Sequence, residues 1–494
     1  MTRALPICAL TALLTLATAA SAQETAPPPA APDLPDMGSP AAAVLSGTDE
    51  YRLGAMVIRG FRDQNALIED PEVSEYLNAV GAKLAAMAPD GAPHFQFFAF
   101  REGAINAFAL PGGFICVNYG LILQTRNESE LAGVMAHEMA HVTQHHIARQ
   151  IRAQSQQSLA SAAAMLAAIV LGSLGGGGGQ AIEGGIAAAQ GLAAQQQINF
   201  TRDNEAEADR VGIGFLYGAG FDPRAMADFF ETIGRTQGLT ATYIPAMLQD
   251  HPVTSVRVAE ARARAAQFGP VKVKESLSYL LIRERLRVLT APGDTDIEKQ
   301  YAQRMARGNA DIGTRYGDAL ALMADNRPVE AEKILHTLTE QHQGLTLLHA
   351  ALGQAQMKAG QTNDGLASLH RAVDLFPRNV PVTIRYAEAL MKAGRAKEAH
   401  SVLLDLFNNV PPTPEQIRLT ALAASAAGDQ GDAYFYMGEY QIAGGDLPLA
   451  AQQLQLALAT PNLTQVQRQR YQARLDEVRE YLASTRVRRV SNTE

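Results

Sequence analysis

Small residues recur at a fixed interval along the C-terminal half of this 494-residue chain. Ala331, Gly365, Ala399 and Ala433 stand 34 positions apart, and Gly353, Ala387 and Ala421 precede the last three of them by twelve. The tripeptide Lys-Ala-Gly, a helix-ending turn signal, occurs at 358–360 and again at 392–394. With helical hydrophobic patterning throughout, such a period suits one pair of helices per unit, with small side chains where the two cross. A unit of this kind cannot cover its own apolar face, so neighbours must stack on one another. The pattern predicts an all-α solenoid over residues 277–490. A generic helical bundle would show no fixed period. Ala450, in "GGDLPLA", falls half a period after Ala433, so the array is expected to slip register or end irregularly there.

The part before the repeats has a different character. Residues 1–22 carry Arg3, an apolar run from Ala4 to Ala17 and the small-x-small sequence Ala20-Ser21-Ala22, the form of an export signal cleaved near Ala22. Removing it removes Cys8 and leaves Cys116 as the only cysteine, so no internal disulfide can form and stability must come from packing. Residues 23–45 are rich in Pro and Ala and read as an extended tether. From 46 to 270 helical periodicity in "YRLGAMVIRGFRDQ" and "PEVSEYLNAVGAKLAAM" gives way to strand-like runs in "HFQFFAF", "AINAFAL" and "GFICVNYG". A small sheet between helices is expected, making this an α+β domain. Residues 162–197 hold an apolar run of thirteen and five consecutive glycines, too short to span ~30 Å of hydrocarbon. They read either as a buried helix with a flexible loop or as a mobile lid or membrane-surface element, so peripheral membrane contact is one expectation. The net charge of −8 argues against a nucleic-acid partner and against general attraction to anionic lipid.

The chemistry is concentrated in "MAHEMAHVTQHH", residues 135–146. Asn127 caps a helix, Glu130 stands three places later as the reciprocal acceptor, and the helix is expected to run past His146. On it His137 and His141 lie four residues apart on one face and can reach a single ion, the H-E-x-x-H arrangement. Glu138 is displaced around the helix, placed to handle a proton rather than to ligate. Zinc suits two neutral imidazoles and a carboxylate and lowers the pKa of water towards ~7. The pentapeptide alone is only moderately specific, and a solvated histidine-rich helix would produce it too. A third ligand decides. "FTRDNEAEADR" offers Asp203, Glu205, Glu207 and Asp209; Glu205 and Asp209 share a helix face, so one can bind metal while the other accepts a hydrogen bond from a ligand imidazole.

H-E-x-x-H followed by E-x-x-A-D about 64 residues on resembles the gluzincin family that contains the CAAX prenyl proteases, HtpX and the BepA (YfgC) periplasmic peptidases. "INAFALPGGFICVNYG" and "DHPVTSVRVAEA" extend the likeness, and the 34-residue period resembles tetratricopeptide repeats. The resemblance implies a zincin-type domain followed by a repeat solenoid that binds protein, with one zinc ion per chain. It makes His137, His141 and Glu205 the metal ligands, Glu138 the general base, Asp209 the partner of a ligand imidazole and Glu207 a surface residue. His251 reads either as a fourth ligand that keeps the enzyme latent or as a pocket residue contacting substrate. Arg257 reads as an oxyanion stabiliser, as a partner of a ligand carboxylate, or as a structural ion pair. The strand Ala104–Leu110 offers an edge on which an extended peptide can pair, with Asn106 and Ala107 in contact with substrate; Asn106 reads equally as a turn residue. His145 and His146 read as helix surface or outer contacts, and His336, His342, His349, His370 and His400 as surface or packing residues. The implied function is a periplasmic metalloendopeptidase acting on misfolded or stalled outer-membrane proteins, with the repeat surface meeting the β-barrel assembly machinery. The alternative is a client-binding chaperone whose zinc site is structural or latent.

Overall fold

The computed structural model describes residues 46–147, 202–239, 247, 251–274, 276–308 and 310–491. The export signal, the tether and the segment 162–197 lie outside the described residues. Helix α1 (Gly47–Asp63) opens at Ser46, whose hydroxyl accepts from the Asp49 amide, and α2 (Pro71–Ala85) opens at Asp70, which accepts from the Val73 amide. Three strands follow: β1 (Gln96–Phe100), β2 (Ala107–Leu110) and β3 (Phe114–Asn118), in the order β1-β3-β2. β3 runs parallel to β1, with Phe97 opposite Ile115, and antiparallel to β2, with Ala107 opposite Val117. It is central and wholly buried, which is why "FICV" shows no polar alternation.

The pleat sends successive side chains to opposite faces. Phe98, Phe100, Phe108, Leu110, Phe114 and Cys116 pack on Leu53, Val57 and Phe61 of α1. Phe97, Ala99, Ala107, Ile115 and Val117 face the main core built with α2 and with helix α4 (Glu128–Thr143). Gly112 and Gly113 turn β2 into β3 at φ +80° and +89°, in the left-handed region where a Cβ is disfavoured. β2 is shorter than expected. Residues 104–106 are held as a turn because the Asn106 side chain accepts from the Ala107 amide, the Asn106 carbonyl accepts from the Asn118 amide, and the Asn118 side chain donates to the Ala104 carbonyl.

Short helix α3 (Tyr119–Gln124) leads into α4, whose residues 129–142 are all buried. Glu130 is an acceptor as expected, but for the backbone amide of Arg126 rather than of the cap residue. The helix does not run past His146: it ends at Thr143, and His145 takes φ +54°. Helix α5 (Arg202–Gly218) crosses α4 closely. A Cβ on Gly212 would lie 3.1 Å from both the Ala136 carbonyl and the His137 amide, tighter than an ordinary van der Waals contact, so the close crossing favours glycine. Helices α6 (Ala225–Leu239) and α7 (Ser255–Ala265, capped by Thr254) follow among the described residues.

The repeats begin with α8 (Leu277–Leu289), α9 (Ile297–Ala306), α10 (Ile312–Ala324) and α11 (Pro328–Gln341). They continue as α12 (Thr346–Lys358), α13 (Thr362–Leu375), α14 (Val380–Lys392) and α15 (Ala396–Phe407). The last four are α16 (Pro414–Ala427), α17 (Gln430–Ala443), α18 (Leu447–Ala459) and α19 (Gln465–Ser491). Ala331, Ala387, Ala399 and Ala421 are buried at the crossings, and Gly360 and Gly394 end their helices at φ +80° and +74°. First helices begin at residues 312, 346, 380, 414 and 447, so the interval shortens only from 34 to 33 at the unit of Ala450, and the array ends irregularly in the 27-residue α19. Ala450 lies in α18, opposite Gly438 of α17.

The boundary expected between 270 and 277 falls in the α7–α8 connection, yet both sides belong to one compact body. Asp70 and Glu72 of the peptidase part meet Arg285 of α8 (2.7 and 3.0 Å) and Arg385 of α14 (3.0 and 2.6 Å). The buried Glu72 and the largely buried Asp70 thus face two guanidinium groups, a balanced set that avoids the large cost of an unpaired buried charge. Arg59 donates to the Gly444 carbonyl at 2.9 Å and adds a second tie.

Candidate metal centre

His137 and His141 project from α4, Glu205 from α5, and His251 from the segment preceding α7. One ligating atom from each lies within 4.8 Å of the others, and all four residues are buried. The two Nε2 atoms of His137 and His141 are 3.0 Å apart. Glu205 Oε2 lies 3.5 Å from His137 Nε2, and Oε1 lies 3.5 Å from His141 Nε2. His251 Nδ1 is 3.0 Å from Glu205 Oε1 and 3.4 Å from His137 Nε2.

The electrostatics fit a cation. Burial, then the positive charges of His137 and His251, push His141 well below its usual pKa and leave it neutral, as a ligand must be. Burial works against ionisation of Glu205, but His251 and His137 prevail and hold it far below the usual carboxylate range. For His137 burial opposes the charged form, and hydrogen bonds and charges from Asp209 and Glu205 raise it to about 10. Two imidazoles and a carboxylate converging in a buried pocket are a suitable donor set for zinc.

Asp209 and Arg257 contact this set from outside. Asp209 Oδ1 is 2.9 Å from His137 Nδ1, the ring nitrogen turned away from the ligand cluster. Arg257 donates through two nitrogens to Asp209, each at 2.9 Å, reaches Glu205 Oε2 at 2.8 Å and donates to the Pro252 carbonyl at 2.9 Å. Its guanidinium also lies over the Phe230 ring. Arg257 thus touches both carboxylates, the contacts expected of a partner to a ligand carboxylate. Glu138 is buried beside the cluster, with Oε1 3.7 Å from His251 Nε2. Asn106 is buried at the entry to β2, where its described contacts are those of the turn, and Ala107 is buried on the same strand.

Of the two readings open to His146, the outer contact is the one found: it is fully buried, with Nδ1 2.8 Å from His141 Nδ1. Glu207, expected at the surface, is a half-buried contact of His146 at 3.1 Å. The sequence signal for this was slight: the histidine lies five residues after His141, and only the chain reversal at His145 brings it back. His145 itself is exposed. In the repeats His336 and His370 are exposed and His400 is buried, consistent with surface and packing roles.

The fold and this donor set define a metalloprotease of the H-E-x-x-H type carrying a tetratricopeptide array. The chain belongs to peptidase family M48, whose model matches residues 71–265, and a tetratricopeptide repeat model matches residues 356–423. It is 32% identical over 453 residues to the beta-barrel assembly-enhancing protease of Escherichia coli, covering 90% of this chain and 91% of the relative. The putative beta-barrel assembly-enhancing protease of Vibrio cholerae is also 32% identical, over 90% of this chain and 92% of its own. The mitochondrial metalloendopeptidase OMA1 of Schizosaccharomyces pombe matches 37% of this chain at 27% identity, covering 50% of the relative. Among the described residues no helix is long and apolar enough to cross a membrane.

Proposed function

We propose that the chain is a periplasmic zinc metalloendopeptidase that hydrolyses misfolded or stalled outer-membrane proteins. The observation that carries this reading is the convergence of His137, His141 and Glu205 with Glu138 one residue beyond the first ligand. These residues would hold one zinc ion, which when bound supplies the Lewis acidity that activates water and polarises the scissile carbonyl. Glu138 takes the proton of the attacking water and returns it to the leaving amine. Asp209 and Arg257 fix the ligands. The edge strand β2 receives an extended substrate as a further strand, which suits unfinished β-barrel chains with unpaired strand edges. The repeat surface recruits partners, among them the barrel-assembly machinery that the relatives' names imply. Residues 1–22, which have the form of an export signal, support the periplasmic reading.

His251 supports the latent state as a second element of this reading. Its Nδ1 joins the ligand cluster while its Nε2 approaches Glu138, so a single side chain covers both the metal position and the base. Three protein ligands leave a site open for water, whereas four close it. This same closure supports the rival reading, a client-binding chaperone with a permanently latent site. Cleavage of casein separates the two. Zinc-dependent cleavage by the wild type, faster cleavage by His251→Ala and none by Glu138→Gln with zinc retained would establish the latent protease. Inert wild type and His251→Ala that both still bind client would establish the chaperone.

A further inference from the structure

The two ligand histidines are held from behind by different groups. His137 rests on a carboxylate, but His141 rests on another imidazole. We propose that His146 and Glu207 are positioning residues that fix the tautomer and the ring orientation of His141; this rests on the reading of His137, His141 and Glu205 as metal ligands.

The tautomers follow from the distances. His141 Nε2 points into the ligand cluster and must present a lone pair to a cation, so its hydrogen sits on Nδ1. His146 Nδ1 lies 2.8 Å from it, placed to accept that hydrogen. His146 consequently carries its own hydrogen on Nε2, and Nε2 faces the Glu207 carboxylate at 3.1 Å. In the opposite assignment His146 would turn an Nε2 lone pair on that carboxylate, while His141 would aim an N–H at the metal position. Glu207 selects between the two: an acidic residue at the end of the chain sets the tautomer of a ligand two rings away. Arg210 lies 3.7 Å from Glu207, on the opposite carboxylate oxygen. The left-handed backbone at His145, outside the favoured region for a residue with a side chain, swings His146 under His141 instead of onto the next helical turn. A neutral imidazole is a weaker acceptor than a carboxylate, so His141 is the less basic of the two ligands and the one whose grip depends more on orientation.

The test is zinc affinity of the full-length protein by competition with a chelator, together with the visible absorption of the cobalt-substituted protein, which reads the ligand field directly. His146→Leu should weaken zinc binding ten- to a hundredfold and Glu207→Ala about tenfold, the usual range for such supporting partners. Both should move the cobalt bands. His146→Asn places Oδ1 where Nδ1 stands, keeps the acceptor for His141 and should recover most of the affinity. If His146→Leu does not fold, Glu207→Ala, at a half-buried position, still carries the test. Stoichiometric zinc in the wild type with affinities within twofold and unmoved cobalt bands in the variants would overturn the proposal. So would His146→Asn as weak as His146→Leu, which would make the role one of packing. A wild type that holds no zinc would instead remove the ligand reading on which the proposal rests.

Discussion

Asp209 offers a sharp test of how the metal ligands are held. Its Oδ1 faces His137 Nδ1 at 2.9 Å, and both oxygens accept from Arg257, at 2.9 Å each. Asp209→Asn keeps the shape but replaces one acceptor by an NH2 group. Whichever way the amide turns, a donor then faces a donor, either the His137 ring N–H or an Arg257 N–H. The buried guanidinium also loses one of its two carboxylate partners. A hydrogen bond to a charged group contributes about 1.5–3 kcal/mol. Lost from behind a ligand histidine, that corresponds to a roughly ten- to hundredfold weaker zinc Kd, the range found for supporting partners of ligand imidazoles. The assay is competition with a chelator of known affinity, followed by casein cleavage at saturating zinc. Affinity should fall by that factor, and excess metal should restore part of the activity. An unchanged Kd would mean that Asp209 does not orient His137, and the outer support of the site would have to be sought elsewhere.

Three further outcomes follow from particular contacts. Gly212→Val should wedge α5 away from α4, since even a Cβ would lie 3.1 Å from the Ala136 carbonyl; zinc affinity and cleavage should fall together, and full retention of both would show that the crossing has slack. Arg385→Leu leaves Asp70 and Glu72 with one guanidinium and should cost about 3–5 kcal/mol in urea unfolding, partly recovered in Glu72→Gln/Arg385→Leu; no cost would mean that the repeats are not tied to the peptidase part there. Glu284 is buried, which opposes ionisation, but Arg304, Tyr301 and Arg287 lower it from 4.5 to about 2. Its carboxylate therefore stabilises the fold above about pH 4.5, by on the order of 3 kcal/mol, and loses that contribution as pH falls towards 2. The stability gap between wild type and Glu284→Gln should shrink from pH 6 to pH 3, and a constant gap would contradict the assignment.

Local spacing made part of this site readable. Four-residue separations place His137 with His141 and Glu205 with Asp209 on single helix faces, and the 34-residue interval of small residues gave the stacked helix pairs. What escaped depends on chain reversals and distant packing. His146 appeared to continue the helix, because nothing in "HVTQHH" announces that His145 adopts positive φ. The parallel pairing of β1 with β3 places a later strand in the centre, an order that alternation alone does not fix. The Asp70–Glu72 cluster with Arg285 and Arg385 joins residues more than two hundred positions apart, and no periodicity links them. The sequence left three roles open to Arg257, because its contacts with Asp209, Glu205 and the Pro252 carbonyl depend on packing between distant segments that spacing does not reveal.

The central claim is a single metal held by His137, His141 and Glu205. Anomalous diffraction at the zinc edge from crystals of the full-length protein tests it most directly. One peak per chain is expected, within bonding distance of both Nε2 atoms and of the Glu205 carboxylate, with His251 Nδ1 in the fourth position. A zinc peak elsewhere, or a fully loaded crystal with no density between these three side chains, would contradict it.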